Sequence, residues 1–280
     1  MAGVTVAAPV RTPHRYGLFS AASIVDATDM HELMGVQWQP LPCGRPGLFV
    51  EDCLPTGGGN PDVPATTEKD FADQPGTVEA SPITVYGSFR CRLLGYSLEE
   101  AQRRAREHLE AGEQQAVEYA VMSGEGGNLP FLADADTVNL GTATCAEELL
   151  SLLYEHADAE FTGEPVLHVP RAAAPWLKDH LAREAGRLVT TLGTPVVAGA
   201  GYSEANVGPG GVAAPAGSFW VYATGPVVVR RGPITAVPNP PEAGLNRSNN
   251  DFTALAERQY VVGWDCLAAA VQFTPACCCG

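Results

Sequence analysis

Apolar and polar residues alternate from Ile83 to Leu93. Ile83, Val85, Phe89, Cys91 and Leu93 fall on one side with Gly87, and Thr84, Tyr86, Ser88, Arg90 and Arg92 on the other. A period of two predicts a half-buried strand. The period then changes. Leu98, Ala101, Ala105, Leu109, Gly112, Ala116 and Ala120 recur at every third or fourth position. This predicts one helix, opened by the capping box Ser97-Leu-Glu-Glu100 and stopped at Gly124. At 1.5 Å per residue it is roughly 40 Å long. Glu99–Arg103, Glu100–Arg104 and Arg106–Glu110 are candidate i,i+4 pairs on its wet side. A face lined with alanine allows close packing on a sheet. The alternative is a two-helix coiled coil, but the Leu/Ile pattern at a and d is missing.

The rest of the chain is less periodic. Met1 to about Thr28 is small and polar and reads as an arm without a core element. Val36 to Gly76 is crowded with Pro and Gly around one strand-like run, Gly47 to Cys53. So long a stretch without helix is unusual inside a compact domain. It is either disordered or ordered by something outside the domain. Leu48 to Cys53 and Ile83 to Leu93 are expected to form a long two-stranded hairpin, with the Pro/Gly-rich segment as its tip. Thr144-Cys-Ala-Glu147 is a second capping box, before a helix with Leu149, Leu150, Leu152 and Leu153. Val166–Val169 is a short strand, and Pro170–Gly186 a helical stretch carrying Trp176, Leu177 and Leu181. Strands follow at 194–198, 218–223, 226–230 and 234–237. A loop at Pro238–Asn250 leads to an amphipathic turn around Phe252 and Leu255. The pattern closes with strands at Gln259–Cys266 and Val271–Thr274. The class is α+β with one dominant helix.

Composition narrows the function more than the fold. The 280 residues suffice for one large domain or two interleaved ones. A hydrophobic fraction of 45% and mean hydropathy near zero fit a soluble globular protein. No stretch approaches the roughly 20 apolar residues of a membrane span, so no membrane partner is expected. Arg11 and Arg15 are not followed by an apolar run, so a secretory signal is not expected. The net charge of −15 disfavours tight nucleic-acid binding, yet suits a container wall that must not stick to its contents. Of the eight cysteines, Cys43, Cys53, Cys91, Cys145 and Cys266 are scattered and read as buried free thiols. Cys277, Cys278 and Cys279 form a tail. It could make inter-subunit disulfides, catch a metal or simply be exposed.

No catalytic constellation emerges. The stretch around Ser203 lacks the final glycine of a nucleophile elbow. Gly57-Gly-Gly59 lacks the Gly-Lys-Ser/Thr of a P-loop. Gly124-Glu-Gly-Gly127 follows a helix, where a dinucleotide loop must follow a strand. The six histidines (His14, His31, His108, His156, His168 and His180) have no H-E-x-x-H or i,i+4 partner. No Cys/His spacing fits a structural zinc. Hence no catalytic, cofactor-binding or metal residue is expected, and no cofactor. Ser203 or a cysteine with a distant histidine, in a small α+β hydrolase, is the remaining enzymatic alternative.

The order of elements resembles the Hong Kong 97 fold of tailed-bacteriophage major capsid proteins. It runs arm, Pro/Gly-tipped hairpin, long helix, second helix, small strand-and-helix domain, return strands. Tyr16-Gly-Leu-Phe19, Thr84-Val-Tyr86, Gly112-Glu-Gln-Gln-Ala-Val117 and Glu257-Arg-Gln-Tyr-Val-Val262 are similar to segments from actinobacterial phages. The resemblance covers nearly the whole chain. It implies an N-terminal arm at 1–35, an extended E-loop hairpin at 36–93, and a peripheral (P) domain at 94–165 and 239–276 with a long spine helix. An axial (A) domain follows at 166–238, and a Cys-rich tail at 277–280. It implies a non-enzymatic structural protein that self-assembles as hexamers and pentamers into an icosahedral shell. That shell would enclose phage double-stranded DNA without sequence-specific binding, as a virion capsid assembled in the host cytoplasm. Scaffolding and portal proteins are implied partners, with a decoration protein as a further one. Encapsulin-type bacterial compartments share the fold and are the main alternative. Some family members weld subunits through a Lys–Asn bond; Lys69 and Asn246, Asn249 or Asn250 are the nearest counterparts, without a residue-by-residue match. Deleting Met1–Asp26 is expected to impair shell formation and leave the domain folded.

Overall fold

The computed structural model describes residues 9–48, 69, 76–92, 96–238, 241–248 and 250–276. A short helical turn, α1 (Leu18–Ala21), runs into strand β1 (Ser23–Asp26). A 3-10 turn at Met30–Met34 leads to β2 (Val36–Trp38). Then come β3 (Val78–Ala80), β4 (Pro82–Arg92) and the long helix α2 (Leu98–Ser123). Next are β5 (Val138–Ala143), α3 (Ala146–Glu160) and β6 (Val166–Pro170). A hairpin, β7 (Leu181–Glu184) and β8 (Arg187–Thr190), precedes β9 (Pro195–Gly199) and the turn α4 (Ala200–Glu204). Two short strands, β10 (Val207–Gly208) and β11 (Val212–Ala213), precede β12 (Phe219–Thr224). The chain continues with β13 (Val228–Arg231), β14 (Thr235–Val237), β15 (Leu245–Asn246), β16 (Asp251–Gly263) and β17 (Ala268–Phe273).

These strands form a six-stranded and a seven-stranded sheet, with two two-stranded ribbons. The six-stranded sheet is built on β16. β4 pairs with it antiparallel along its full length, from Pro82 opposite Val261 to Arg92 opposite Asp251. β13, β14 and β15 share its other side, and β1 adds in parallel beyond β13. The second sheet runs β5-β17-β12-β6-β9-β8-β7.

Helix α2 lies across β4 and β16 as its alanine stripe predicts. Ala101, Ala105 and Leu109 pack with Phe252, Ala254 and Ala256. Gly87 sets the closeness: a Cβ there would sit 2.5 Å from the Ala105 carbonyl oxygen and 2.4 Å from the Leu109 nitrogen. The Ser97 hydroxyl accepts the Glu100 N–H, and Gly124, at φ +74°, closes the last turn. Of the expected pairs Glu100–Arg104 forms, while Arg103 turns to Glu107 and Glu100 instead of Glu99. Beyond Leu109 the buried face departs from the expected one. Ala116 is exposed, and Gln114, Val117, Glu118, Val121 and Met122 are buried, because the second half of the helix is covered on more than one side.

Several expectations need correction. Pro170–Gly186 is not a helix: a 3-10 turn at Ala174–His180 gives way to the β7–β8 hairpin. Its two-residue turn, Ala185-Gly186, has both residues at positive φ, which suits the twist of a hairpin. The turn at Phe252–Leu255 and the strand from Gln259 are one strand, β16. Its alternation is interrupted at Arg258, which points to the helix side and is neutralised by Glu113 of α2 at 3.1 Å. The second capping box is displaced by one residue. Glu148, not Glu147, reaches back to the Thr144 N–H, at 2.8 Å. Ile83–Arg92 pairs with β16; Phe49–Cys53 lies outside the described residues, and the described base of the hairpin is the β2–β3 ribbon.

The two large sheets cross the implied domain boundaries. β13 and β14, inside 166–238, belong to the six-stranded sheet, and β17, inside 239–276, to the seven-stranded one. The arm is not free of core elements either. Leu18 is fully buried and β1 is hydrogen-bonded into a sheet. Deleting Met1–Asp26 would therefore open the core, contrary to expectation. Finally, Cys43 and Cys266 are not free thiols but a disulfide. Cys91 and Cys145 are free and half-buried, and Cys53 and Cys277–Cys279 lie outside the described residues.

Candidate functional site

Two fastenings stand out, one where the chain before Asp26 and one where the β2–β3 ribbon and Cys43 are tied to the body. The first holds the arm. Glu118 projects from the second half of α2 into full burial and accepts N–H groups from Leu18 (2.9 Å) and Gly201 (3.0 Å). One carboxylate thus joins the arm, the long helix and the turn after β9. Burial pushes its carboxyl up to about 7, opposed by the N–H groups of Leu18, Gly201 and Ala200 and by the charge of Arg171. Gln114, one turn earlier, donates to the His14 carbonyl (2.9 Å). Phe19 stacks on Tyr260 of β16 at 5.8 Å between ring centres. The Ala198 N–H donates to the Tyr16 carbonyl, and Ser23 and Ala27 donate to Val227 and Arg231. A buried carboxylate holding a crossing strap can be found in a structure; nothing in the residue order around Glu118 announces it.

The second fastening holds the base of the 36–80 excursion. β2 and β3 pair antiparallel. The Trp38 indole N–H donates to Asp265 at 3.2 Å, and its ring lies on Gly263. The Thr162 N–H and hydroxyl both donate to the Cys43 carbonyl, at 2.8 and 3.2 Å. The Cys43–Cys266 disulfide closes the set, across 223 residues of sequence. Sequence reasoning missed this pair because, with no secretory signal expected, the scattered cysteines read as buried free thiols.

The residues of the enzymatic alternative make local structural contacts. The Ser203 hydroxyl is held by backbone: it accepts the Ala172 N–H at 3.1 Å and donates to the Gly199 carbonyl at 3.4 Å. His168 is fully buried on β6, one ring nitrogen on the Tyr202 hydroxyl (2.9 Å) and the other on Thr224 (2.8 Å). Burial lowers its pKa to about 3, so the ring is neutral and its two nitrogens are occupied. His180 meets Glu147 at the surface and His108 meets the Ser88 backbone. Among the described residues no cluster of His, Cys, Asp and Glu could hold a metal ion. No helix among them is long and apolar enough to cross a membrane.

Several arginines are committed to carboxylates. Arg90, Arg104, Arg230, Arg231 and Arg258 pair with Asp251, Glu100, Glu32, Asp26 and Glu113. Arg231 beside Asp26 holds that carboxyl below its ordinary value. Of the asparagines considered for welding, Asn246 accepts the Ser248 N–H in a local turn, Asn250 has φ +54° and Asn249 lies outside the described residues. The surface also carries apolar groups: Met30, Met34, Leu41, Tyr86, Trp176 and Leu192 are exposed.

No protein-family model matches the chain, and no curated protein matches it in sequence. Solved structures do match in shape. The capsid of an empty GTA particle aligns over 99% of this chain and 94% of its own, with a TM-score of 0.59 and 12% identity. A structure from Mycobacterium phage Bobi aligns over 99% and 96%, with a TM-score of 0.53 and 12% identity. The SrpI encapsulin complex from Synechococcus elongatus PCC 7942 aligns over 98% and 92%, with a TM-score of 0.50 and 14% identity. The chain therefore has a Hong Kong 97-type α+β fold.

Proposed function

We propose that this chain is a structural shell protein, the major capsid protein of a tailed bacteriophage. Its copies self-assemble as hexamers and pentamers into an icosahedral head around double-stranded DNA. The single observation that carries this reading is the end-to-end likeness to the capsid of a GTA particle, over 99% of this chain. The two fastenings support it. One ties the arm to the body from His14 onward, and the other ties the β2–β3 ribbon and Cys43 to it, as straps anchored at their roots would need. The paired arginines and the net charge of −15 fit a wall that encloses DNA without gripping it by sequence.

In this reading residues 94–165 and 239–276, with the spine helix α2, form the peripheral (P) domain, and residues 166–238 the axial (A) domain. Residues 1–35 are the arm, 36–93 the E-loop and 277–280 the tail. Scaffolding and portal proteins assist assembly in the host cytoplasm, and a decoration protein binds the finished head. The chain works by assembly and not by turnover. An encapsulin-type compartment is the second reading, favoured by the likeness to the SrpI complex.

Negative-stain electron microscopy of the expressed protein tests the proposal. Closed icosahedral particles are expected. A monodisperse monomer at high concentration, with or without added scaffold, would sink both shell readings. Particles purified from the native source separate the two: DNA inside supports the phage head, a packaged enzyme the compartment.

A further inference from the structure

We propose that Cys43 and Cys266 are a reversible redox staple, open in a reducing compartment and closed in an oxidising one, that locks the root of the 36–80 excursion to the junction between the two sheets. The inference stands on the geometry of the single chain and does not require the shell reading.

The location carries it. Cys266 lies between β16, which ends the six-stranded sheet at Gly263, and β17, which begins in the seven-stranded sheet at Ala268. Cys43 lies on the segment leaving β2. A bond here ties a peripheral segment to the one stretch of chain that links those two strands of the two sheets.

The non-covalent neighbours make closure reversible. With the sulfurs reduced, Trp38 still donates to Asp265, and Thr162 still donates twice to the Cys43 carbonyl. The Cys266 sulfur also faces the Leu41 carbonyl at 3.8 Å. These contacts bracket the pair on both sides, so opening the bond leaves the thiols close enough to meet again. Access fits as well. Cys266 is exposed and Cys43 only half-buried, so a small thiol or disulfide can reach the bond. A disulfide placed only for stability has no need of that exposure. Thiols of this kind stay reduced in a cytosol and oxidise outside it.

A low-molecular-weight disulfide closes the pair in two exchanges. The Cys266 thiolate attacks one sulfur of the reagent, whose S–S bond breaks and releases one small thiol. The Cys43 thiolate then attacks the Cys266 sulfur of the mixed disulfide. The Cys43–Cys266 bond forms and the second small thiol leaves. Two electrons and two protons pass from the protein to the reagent.

The test uses the full chain with Cys53, Cys91, Cys145, Cys277, Cys278 and Cys279 changed to Ser, purified in reductant and equilibrated in glutathione buffers of graded ratio. Intact mass should fall by two hydrogens in oxidising buffer, with no adduct, and return in reducing buffer. Amide exchange in Val36–Trp38 should slow about tenfold on closure. In a further Cys43→Ser variant the mass should rise by one glutathione, and exchange should not respond. An unchanged mass, a stable adduct on the two-cysteine chain, or equal exchange in both states overturns the staple. If the multiple variant does not fold, non-reduced peptide maps of oxidised wild type decide: a Cys43–Cys266 linked pair supports it, and its absence overturns it.

Discussion

The two large sheets bury their side chains in different ways. In the six-stranded sheet β4 and β16 present one side to the spine helix, where Phe252, Ala254 and Ala256 meet Ala101, Ala105 and Leu109. The other side of β4, with Thr84, Tyr86, Ser88 and Arg90, is exposed, and that of β16, with Thr253, Leu255, Glu257 and Gln259, is half-buried. The seven-stranded sheet is covered on both sides at its centre, while its edge strands β5 and β7 are largely exposed. Val166, Val197, Trp220, Tyr222 and Ala270 enter the core beneath the second half of the spine helix. Their neighbours Leu167, Val196, Val221, Ala269 and Val271 enter another, closed by Leu149 and Leu153 of α3. One-sided burial writes a period of two into the sequence, and two-sided burial erases it. A sheet with a free side can serve an interface, whereas a sheet closed on both sides serves as a rigid hub.

The largest expected effect lies where helix and sheet backbones nearly touch. Gly87→Val would drive side-chain atoms into the Ala105 and Leu109 backbone, which cannot give without lifting the helix. It should cost about 3 kcal/mol or more, enough to remove most soluble folded protein. A variant that melts like wild type would mean that helix and sheet are not in the contact described. On the two-sided sheet, Leu153→Ala should cost about 2–5 kcal/mol in urea denaturation, as expected for a fully buried leucine. A cost under about 1 kcal/mol would mean that α3 only rests on the sheet.

This contrast also decides what is legible in the sequence. The spine helix and β4 are legible because each buries one side and carries a plain signal, a cap in one and strict alternation in the other. The pattern splits β16 into two pieces because Arg258 sits on its buried side, neutralised by Glu113 from 145 residues away. β7 looks helical in sequence because Trp176, Leu177 and Leu181 happen to fall at helical spacing. The turn at Ala185-Gly186 decides instead. Neither fastening is legible: Glu118 meets backbone N–H groups, which carry no residue signature, and the Cys43–Cys266 pair is a property of the folded chain.

The two-sided sheet also traps titratable groups, and their slopes oppose each other. Burial raises the Glu118 carboxyl from about 4.5 to about 7. Between those values the folded state holds the proton more tightly, so stability falls as pH rises, by at most about 1.4 kcal/mol per unit. Burial lowers His168 from 6.5 to about 3. Between those values the unfolded chain binds the proton more tightly, so stability rises with pH. Glu118→Gln should remove the falling limb alone. Whatever its absolute stability, the variant should gain on wild type from pH 4.5 to 7 and run parallel to it outside that window. Denaturation curves that stay parallel throughout would mean that the carboxylate is hydrated in solution.

The smallest expected effect tests the free side. Tyr86 is 65% exposed on β4, opposite Glu257 on β16. Cross-strand pairs on an open surface contribute only roughly 0.2–1 kcal/mol. Tyr86→Ala should therefore stay within about 0.5 kcal/mol of wild type when the unassembled chain is unfolded. A loss of several kcal/mol in that chain would mean that another part of the same molecule covers this side, and the contrast between the sheets would fall. If the unassembled chain is indifferent but assembled particles melt earlier, the free side is where a neighbour lies. The same substitution read in both states thus separates a surface left open by the fold from one closed by assembly.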